Sequence, residues 1–116
     1  MSKSVLIVDD NNTLVSFMSS IFKTLNYELH VASSGEEALE KIEGTSFDVA
    51  VIDIKLPGIM GDELGVKIRE KFPNILMASI SGLPAQHLES TFNMQCFDHI
   101  LEKPVGRTDI ENLISK

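Results

Sequence analysis

The sequence predicts an α/β domain in which a doubly wound, five-stranded parallel sheet carries helices on both faces. Three observations predict it. Apolar, strand-like runs alternate with helical patterns five times along the chain. The run at 5–8 is wholly apolar, and the run at 47–52 is apolar but for Asp48, as expected of strands buried on both faces between two helix layers. The length, 116 residues, suits one compact domain with one real core.

The elements follow in order. Strands are expected at 5–8, 28–32, 47–52, 75–80 and 97–101. In the first helix Leu14, Met18, Ile21 and Leu25 recur at three- and four-residue spacing, with Asn11 or Asn12 as its cap. The second starts at Ser34, and Glu37 three residues on makes a capping box; Ala38, Leu39 and Ile42 give it an apolar face, and Gly44 stops it. The third carries Leu64, Ile68 and Phe72 before Pro73. The fourth starts at Pro84, a residue favoured in a first helical turn, and the fifth, about 108–115, is short. No linker, repeat or low-complexity stretch divides residues 1–116, so a single domain is expected.

Composition excludes several classes. A net charge of −7 repels phosphate backbones, so direct nucleic-acid binding is not expected, although scattered acidic residues also serve solubility alone. No apolar run approaches the roughly 18 residues needed to cross a membrane. The start MSKSVLIVDD passes from a short apolar run into two aspartates, unlike a secretory leader, and a cytoplasmic location is expected. One cysteine, Cys96, cannot form a disulfide within the chain and sits in an apolar stretch, which suits core packing.

In a doubly wound sheet, ligands bind at the carboxyl ends of the strands where the strand order reverses. Asp9 and Asp10 end strand 1, Asp53 ends strand 3, Ser81-Gly82 ends strand 4 and Lys103-Pro104 ends strand 5. Each taken alone has a plain structural explanation: a helix cap for Asp9 and Asp10, a turn before Pro57 for Asp53, an ordinary turn for Ser81, a solvated lysine for Lys103. Together they converge on one edge. Two unit charges 4 Å apart repel by about 4 kcal/mol at an effective dielectric of ~20. Three clustered carboxylates therefore hold raised pKa values or recruit a cation, and an all-oxygen donor set favours a hard ion such as Mg²⁺, with Mn²⁺ as a substitute. Lys103 can place a charge on a phosphoryl oxygen, Ser81 can donate a hydrogen bond to another, and Asp53, on the central strand, is the candidate nucleophile. Gly58 and Gly61 suit a turn and a helix entry.

The segments VLIVDD (5–10), SSGEEALEKI (33–42), FDVAVIDIKLPGIMGDEL (47–64), ISG (80–82) and EKP (102–104) resemble a response-regulator receiver domain of two-component signalling, over essentially the whole chain. Sheets of this flavodoxin-like kind have the order 2-1-3-4-5; chemotaxis receivers are a standing example, so the order is taken from precedent. The resemblance implies that Asp53 accepts a phosphoryl group from the phosphohistidine of a sensor histidine kinase or histidine phosphotransfer protein. It implies that Asp9, Asp10 and Asp53 hold Mg²⁺ together with the backbone carbonyl of Lys55, and that Ser81 and Lys103 grip the phosphoryl group. It also implies a cis Lys103–Pro104 peptide, a readout face on helix 4, strand 5 and helix 5, and an output that is either a separate partner or a fused domain. Pairing of two copies on phosphorylation is left open. The short fifth helix fits either a stand-alone receiver or a piece of a larger protein.

Two positions depart from the family pattern. Ile100 stands three residues before Lys103, where many receivers carry Tyr or Phe, and it cannot make the same ring movement. Lys55, two residues after Asp53, puts a cation beside the path of hydrolytic water and is expected to alter the lifetime of an aspartyl phosphate. Two other classes compete. A receiver-like interaction module that is never phosphorylated is opposed by the intact set of Asp9, Asp10, Asp53, Ser81 and Lys103. An enzyme is opposed on two counts: a flavin protein would need a phosphate loop where Asp9 and Asp10 stand, and an aspartate-nucleophile phosphatase would need an acid where Lys55 stands.

Overall fold

A computed structural model describes residues 3–115. Five strands and five helices alternate: β1 Ser4–Val8, α1 Asn12–Thr24, β2 Glu28–Ala32, α2 Gly35–Gly44, β3 Val49–Asp53, α3 Gly61–Lys71, β4 Leu76–Ser81, α4 Ala85–Thr91, β5 His99–Glu102 and α5 Arg107–Ile114. All pairings are parallel and the strand order is β2-β1-β3-β4-β5.

Side chains alternate between the two faces of each strand, and the core follows that alternation. Leu6, Val8, Ala50, Ile52 and Met77 meet Ala38, Ile42, Leu64 and Ile68 of α2 and α3 on one face. Val5, Ile7, Val49, Val51, Ala78 and Ile80 meet Met18, Phe22, Ile110 and Leu113 of α1 and α5 on the other. Each fully buried Val, Leu, Ile, Phe or Met side chain among them contributes about 1.5–3 kcal/mol relative to exposure. A smaller cluster of Ile54, Leu88 and Met94 lies under α4, with Ile100 packed against it.

The expected elements are all present, with local shifts. β3 begins two residues later than its apolar run and includes Asp53, because Asp48 instead ties the strand's entrance by accepting a hydrogen bond from the Ser4 N–H at 2.8 Å. β5 begins two residues later than expected and ends at Glu102. Asn11, not Asn12, caps α1, its side chain accepting from the N–H groups of Thr13 and Leu14. Pro84 is the cap residue of α4 rather than its first helical residue. The box at Ser34 is half as expected: Ser34 Oγ accepts from the Glu37 N–H at 3.1 Å, but the Glu37 carboxylate reaches back to Ser33, one residue further. Cys96 is buried, as expected, and burial pushes its thiol pKa up, which keeps it unreactive.

Candidate functional site

The carboxyl ends of β1 and β3 lie side by side where the strand order reverses, since β1 pairs with both β2 and β3. Asp9 follows directly on β1 and is buried; Asp10 beside it is exposed; Asp53, the last residue of β3, is buried. One carboxylate oxygen from each of the three lies within 4.8 Å of the other two. Among the described residues this is the one such group of His, Cys, Asp or Glu that can hold a metal ion. The sequence thus located the whole cluster.

Lys103 arrives from the far side of the sheet, just past β5. Its Nζ lies 3.6 Å from Asp53 Oδ2 and 3.7 Å from Asp9 Oδ2. The Lys103–Pro104 peptide is cis, as the resemblance implies. Ser81 ends β4, is buried, and its Oγ accepts from the Leu83 N–H at 3.1 Å, which holds the turn after β4. The hydroxyl hydrogen remains to donate.

Burial raises the pKa of Asp53 from 3.8 to about 6, and the Asp9 carboxylate adds to the rise. The Lys103 ammonium and the Lys55 backbone N–H pull the other way. Asp9 Oδ1 accepts from the Asn11 N–H at 2.9 Å, whereas Asp9 Oδ2 is buried without a hydrogen-bond partner. An orphaned carboxylate oxygen facing two other carboxylates is what a cation would satisfy, so the donor set fits a hard, oxygen-seeking divalent ion.

The loop from β3 to α3 is built to lie close to this cluster. Gly58 adopts φ +73°, a left-handed conformation that suits glycine. Gly61 is pressed against the Asp53 carbonyl; a Cβ there would stand 2.2 Å from that oxygen and 2.7 Å from Ile54 Cα. The Gly61 N–H donates to the Ile54 carbonyl at 2.7 Å. Sequence reasoning missed the loop's other anchor, Glu36, whose carboxylate accepts from the Ile59 N–H at 3.2 Å. No signal in the sequence marked it, because its partner is a backbone group 23 residues away. The Lys55 side chain is exposed, and Ile100 is half-buried under α4.

Comparison with known proteins agrees with this geometry. A family model described as the response regulator receiver domain matches residues 5–115. The alkaline phosphatase synthesis transcriptional regulatory protein PhoP of Bacillus subtilis is 33% identical over 109 residues, covering 94% of this chain and 41% of that protein. The chain spans less than half the length of the curated relatives it matches. Among solved structures, a CheY-like response regulator receiver domain protein from Methanospirillum hungatei superposes with a TM-score of 0.89 at 31% identity, covering 99% of this chain and 92% of the other. The response regulator protein TrrA from Thermotoga maritima, solved in complex with Mg(2+)-BeF, superposes with a TM-score of 0.82 at 26% identity, covering 97% and 99%.

Proposed function

The chain belongs to the response regulator receiver domain family of two-component systems, and on that premise we propose that Asp53 is its phosphoacceptor. The observation that carries the proposal is the position of Asp53: buried at the end of the central strand, one carboxylate oxygen 3.6 Å from the Lys103 ammonium, with Asp9 and Asp10 beside it.

In the proposed reaction an Asp53 carboxylate oxygen attacks the phosphorus of a phosphohistidine on a sensor histidine kinase or histidine phosphotransfer protein. The O–P bond forms as the P–N bond breaks, and the imidazole leaves with the bonding electron pair. Lys103 moves its contact from the carboxylates to a phosphoryl oxygen, and the Ser81 hydroxyl donates to a second. Asp9, Asp10, Asp53 and the Lys55 carbonyl would hold Mg²⁺, or Mn²⁺ in its place, which when bound offsets the negative charge gathered as phosphoryl oxygens approach. The same pocket would let water hydrolyse the acyl phosphate, with the exposed Lys55 side chain bordering its path and setting the lifetime.

Phosphorylation would then shift an existing equilibrium at the α4, β5 and α5 face, because the phosphoryl group binds one state better than the other. The output, a fused domain or a separate protein, reads that face; a phosphorylation-linked homodimer is one such readout. No helix among the described residues is long and apolar enough to cross a membrane. A cytoplasmic site of action is part of the same proposal, as is the lack of direct contact to nucleic acid, which the acidic balance supports. Treatment with acetyl phosphate and Mg²⁺ tests the proposal. The unaltered protein is expected to incorporate phosphoryl group and Asp53→Asn to incorporate none; undiminished incorporation by Asp53→Asn refutes the site. Beryllium fluoride with Mg²⁺, the ligand of TrrA, is a matching probe of the phosphorylated form.

A further inference from the structure

Residues 92–98 lead from α4 into β5 and border a groove of about 590 Å³ that also touches Glu89, His99 and Ile100. Three residues of α3 hold this segment. Asp62 Oδ2 accepts from the Asn93 N–H at 3.1 Å, and the Asp62 carbonyl lies 3.9 Å from Cys96 Sγ. Gly65 leaves no room for a side chain: a Cβ there would stand 2.6 Å from Cys96 Sγ and 3.0 Å from the Phe97 ring. Arg69 donates to the Cys96 carbonyl through Nη2 at 2.6 Å and through Nε at 3.2 Å, and to Asp98 Oδ2 at 3.0 Å. Its Nη1 also donates to the carbonyls of Ile75 at 2.7 Å and Pro73 at 3.1 Å. Asp98 Oδ2 in turn accepts from the Met77 N–H at 2.8 Å.

Asp62, Gly65 and Arg69 are spaced three and four residues apart, so successive turns of one helix face grip one segment. The first residue of α3, directly before Asp62, is fixed just as closely, with Gly61 wedged against the carbonyl of Asp53 and bonded to Ile54. The contact at Gly61 is backbone against backbone, so a shift of Asp53 or Ile54 would press directly on the start of α3. The grip along the helix then carries the displacement to residues 92–98. We propose that α3 is a lever linking the state of Asp53 to the segment 92–98 and its groove, through Asp62 and Arg69. This route does not use position 100, where Ile100 has no aromatic ring to swing. It rests on the reading of Asp53 as the phosphoacceptor and adds a regulated surface to it.

The test is amide NMR of the full chain titrated with Mg²⁺ and beryllium fluoride. In the unaltered protein the Lys55 amide reports binding, and the amides of Asn93, Gln95, Phe97 and Asp98 are expected to shift with it. Asp62→Ala is expected to abolish the shifts at Asn93 and Gln95 and to keep those at Phe97 and Asp98. Arg69→Lys is expected to give the reverse pattern, with Lys55 still responding in both variants. A helix that only supports stability would lower the melting temperature without this local exchange. A response at Lys55 with none at 92–98, or a full Asn93 response in Asp62→Ala, overturns the lever. Silence at Lys55 refutes the site itself, and the lever falls with it.

Discussion

Lys103 Nζ lies 3.6 Å from Asp53 Oδ2, although β4 runs between β3, which ends in Asp53, and β5, which Lys103 follows. A charge-assisted hydrogen bond would be about 2.7–2.9 Å. Lys103 therefore meets the carboxylate as a neighbouring charge without a committed hydrogen bond, and shares it with Asp9 at 3.7 Å. Such a cation can turn to an incoming phosphoryl oxygen without breaking a strong bond. Lys103→Ala is expected to slow phosphoryl incorporation from acetyl phosphate by about tenfold or more, the worth of one hydrogen bond to a charged group. An unchanged initial rate would remove Lys103 from the site.

The raised pKa of Asp53 has a defined sign. In metal-free protein the folded state holds a proton to about pH 6 that the unfolded state releases near 3.8. Stability falls as pH rises between those values, and the penalty is complete above the upper one. Asp53→Asn removes the titration. In a chelator, its gain in unfolding free energy over the unaltered protein is expected to grow from near zero at about pH 4 to on the order of 2 kcal/mol at about pH 7. Mg²⁺ is expected to narrow the gap by stabilising the unaltered protein. Urea unfolding across that range checks it, and a gap independent of pH would contradict the desolvation account.

Gly61 and Gly82 make a matched pair. A Cβ at Gly61 would meet backbone atoms of Asp53 and Ile54, which cannot rotate away, whereas nothing lies within 4 Å of a Cβ at Gly82. Gly61→Ala is expected to cost about 2–3 kcal/mol of stability and to lower phosphoryl uptake, since it displaces Asp53 itself. Gly82→Ala is expected to change stability by less than about 0.5 kcal/mol. Equal effects at the two positions in urea unfolding would contradict the packing described for the loop.

Ser79 is fully buried in β4, and its Oγ has no hydrogen-bond partner. An unpaired buried hydroxyl costs about 1–3 kcal/mol. Ser79→Ala removes it and is expected to raise the unfolding free energy by about 1 kcal/mol after the loss of packing, seen as a higher urea midpoint with an unchanged slope. A lower midpoint would mean that the hydroxyl has a partner in solution.

The sequence made the site legible because its side chains announce themselves. Asp9, Asp53 and Ser81 are polar residues standing directly after apolar runs, Asp10 and Lys103 stand one residue further on, and the fold rule for doubly wound sheets brings those positions to one edge. Boundaries were less legible: the apolar run 47–52 continues the hydrophobic pattern on both sides of where pairing starts, so Phe47 reads as strand although it packs on the core from outside β3. The grip of Arg69 was invisible, because four of its bonds end on the carbonyls of Pro73, Ile75 and Cys96, which every residue type possesses. The orphan hydroxyl of Ser79 was hidden for the opposite reason: serine in a strand carries no mark of whether a partner exists.

The central claim is that Asp53, among three clustered aspartates, takes the phosphoryl group. Phosphorylated protein reduced with borohydride converts an acyl phosphate to the alcohol, and peptide sequencing by mass spectrometry locates the homoserine produced. The account predicts homoserine at position 53 alone; homoserine at position 9 or 10, with Asp53 unmodified, would contradict it.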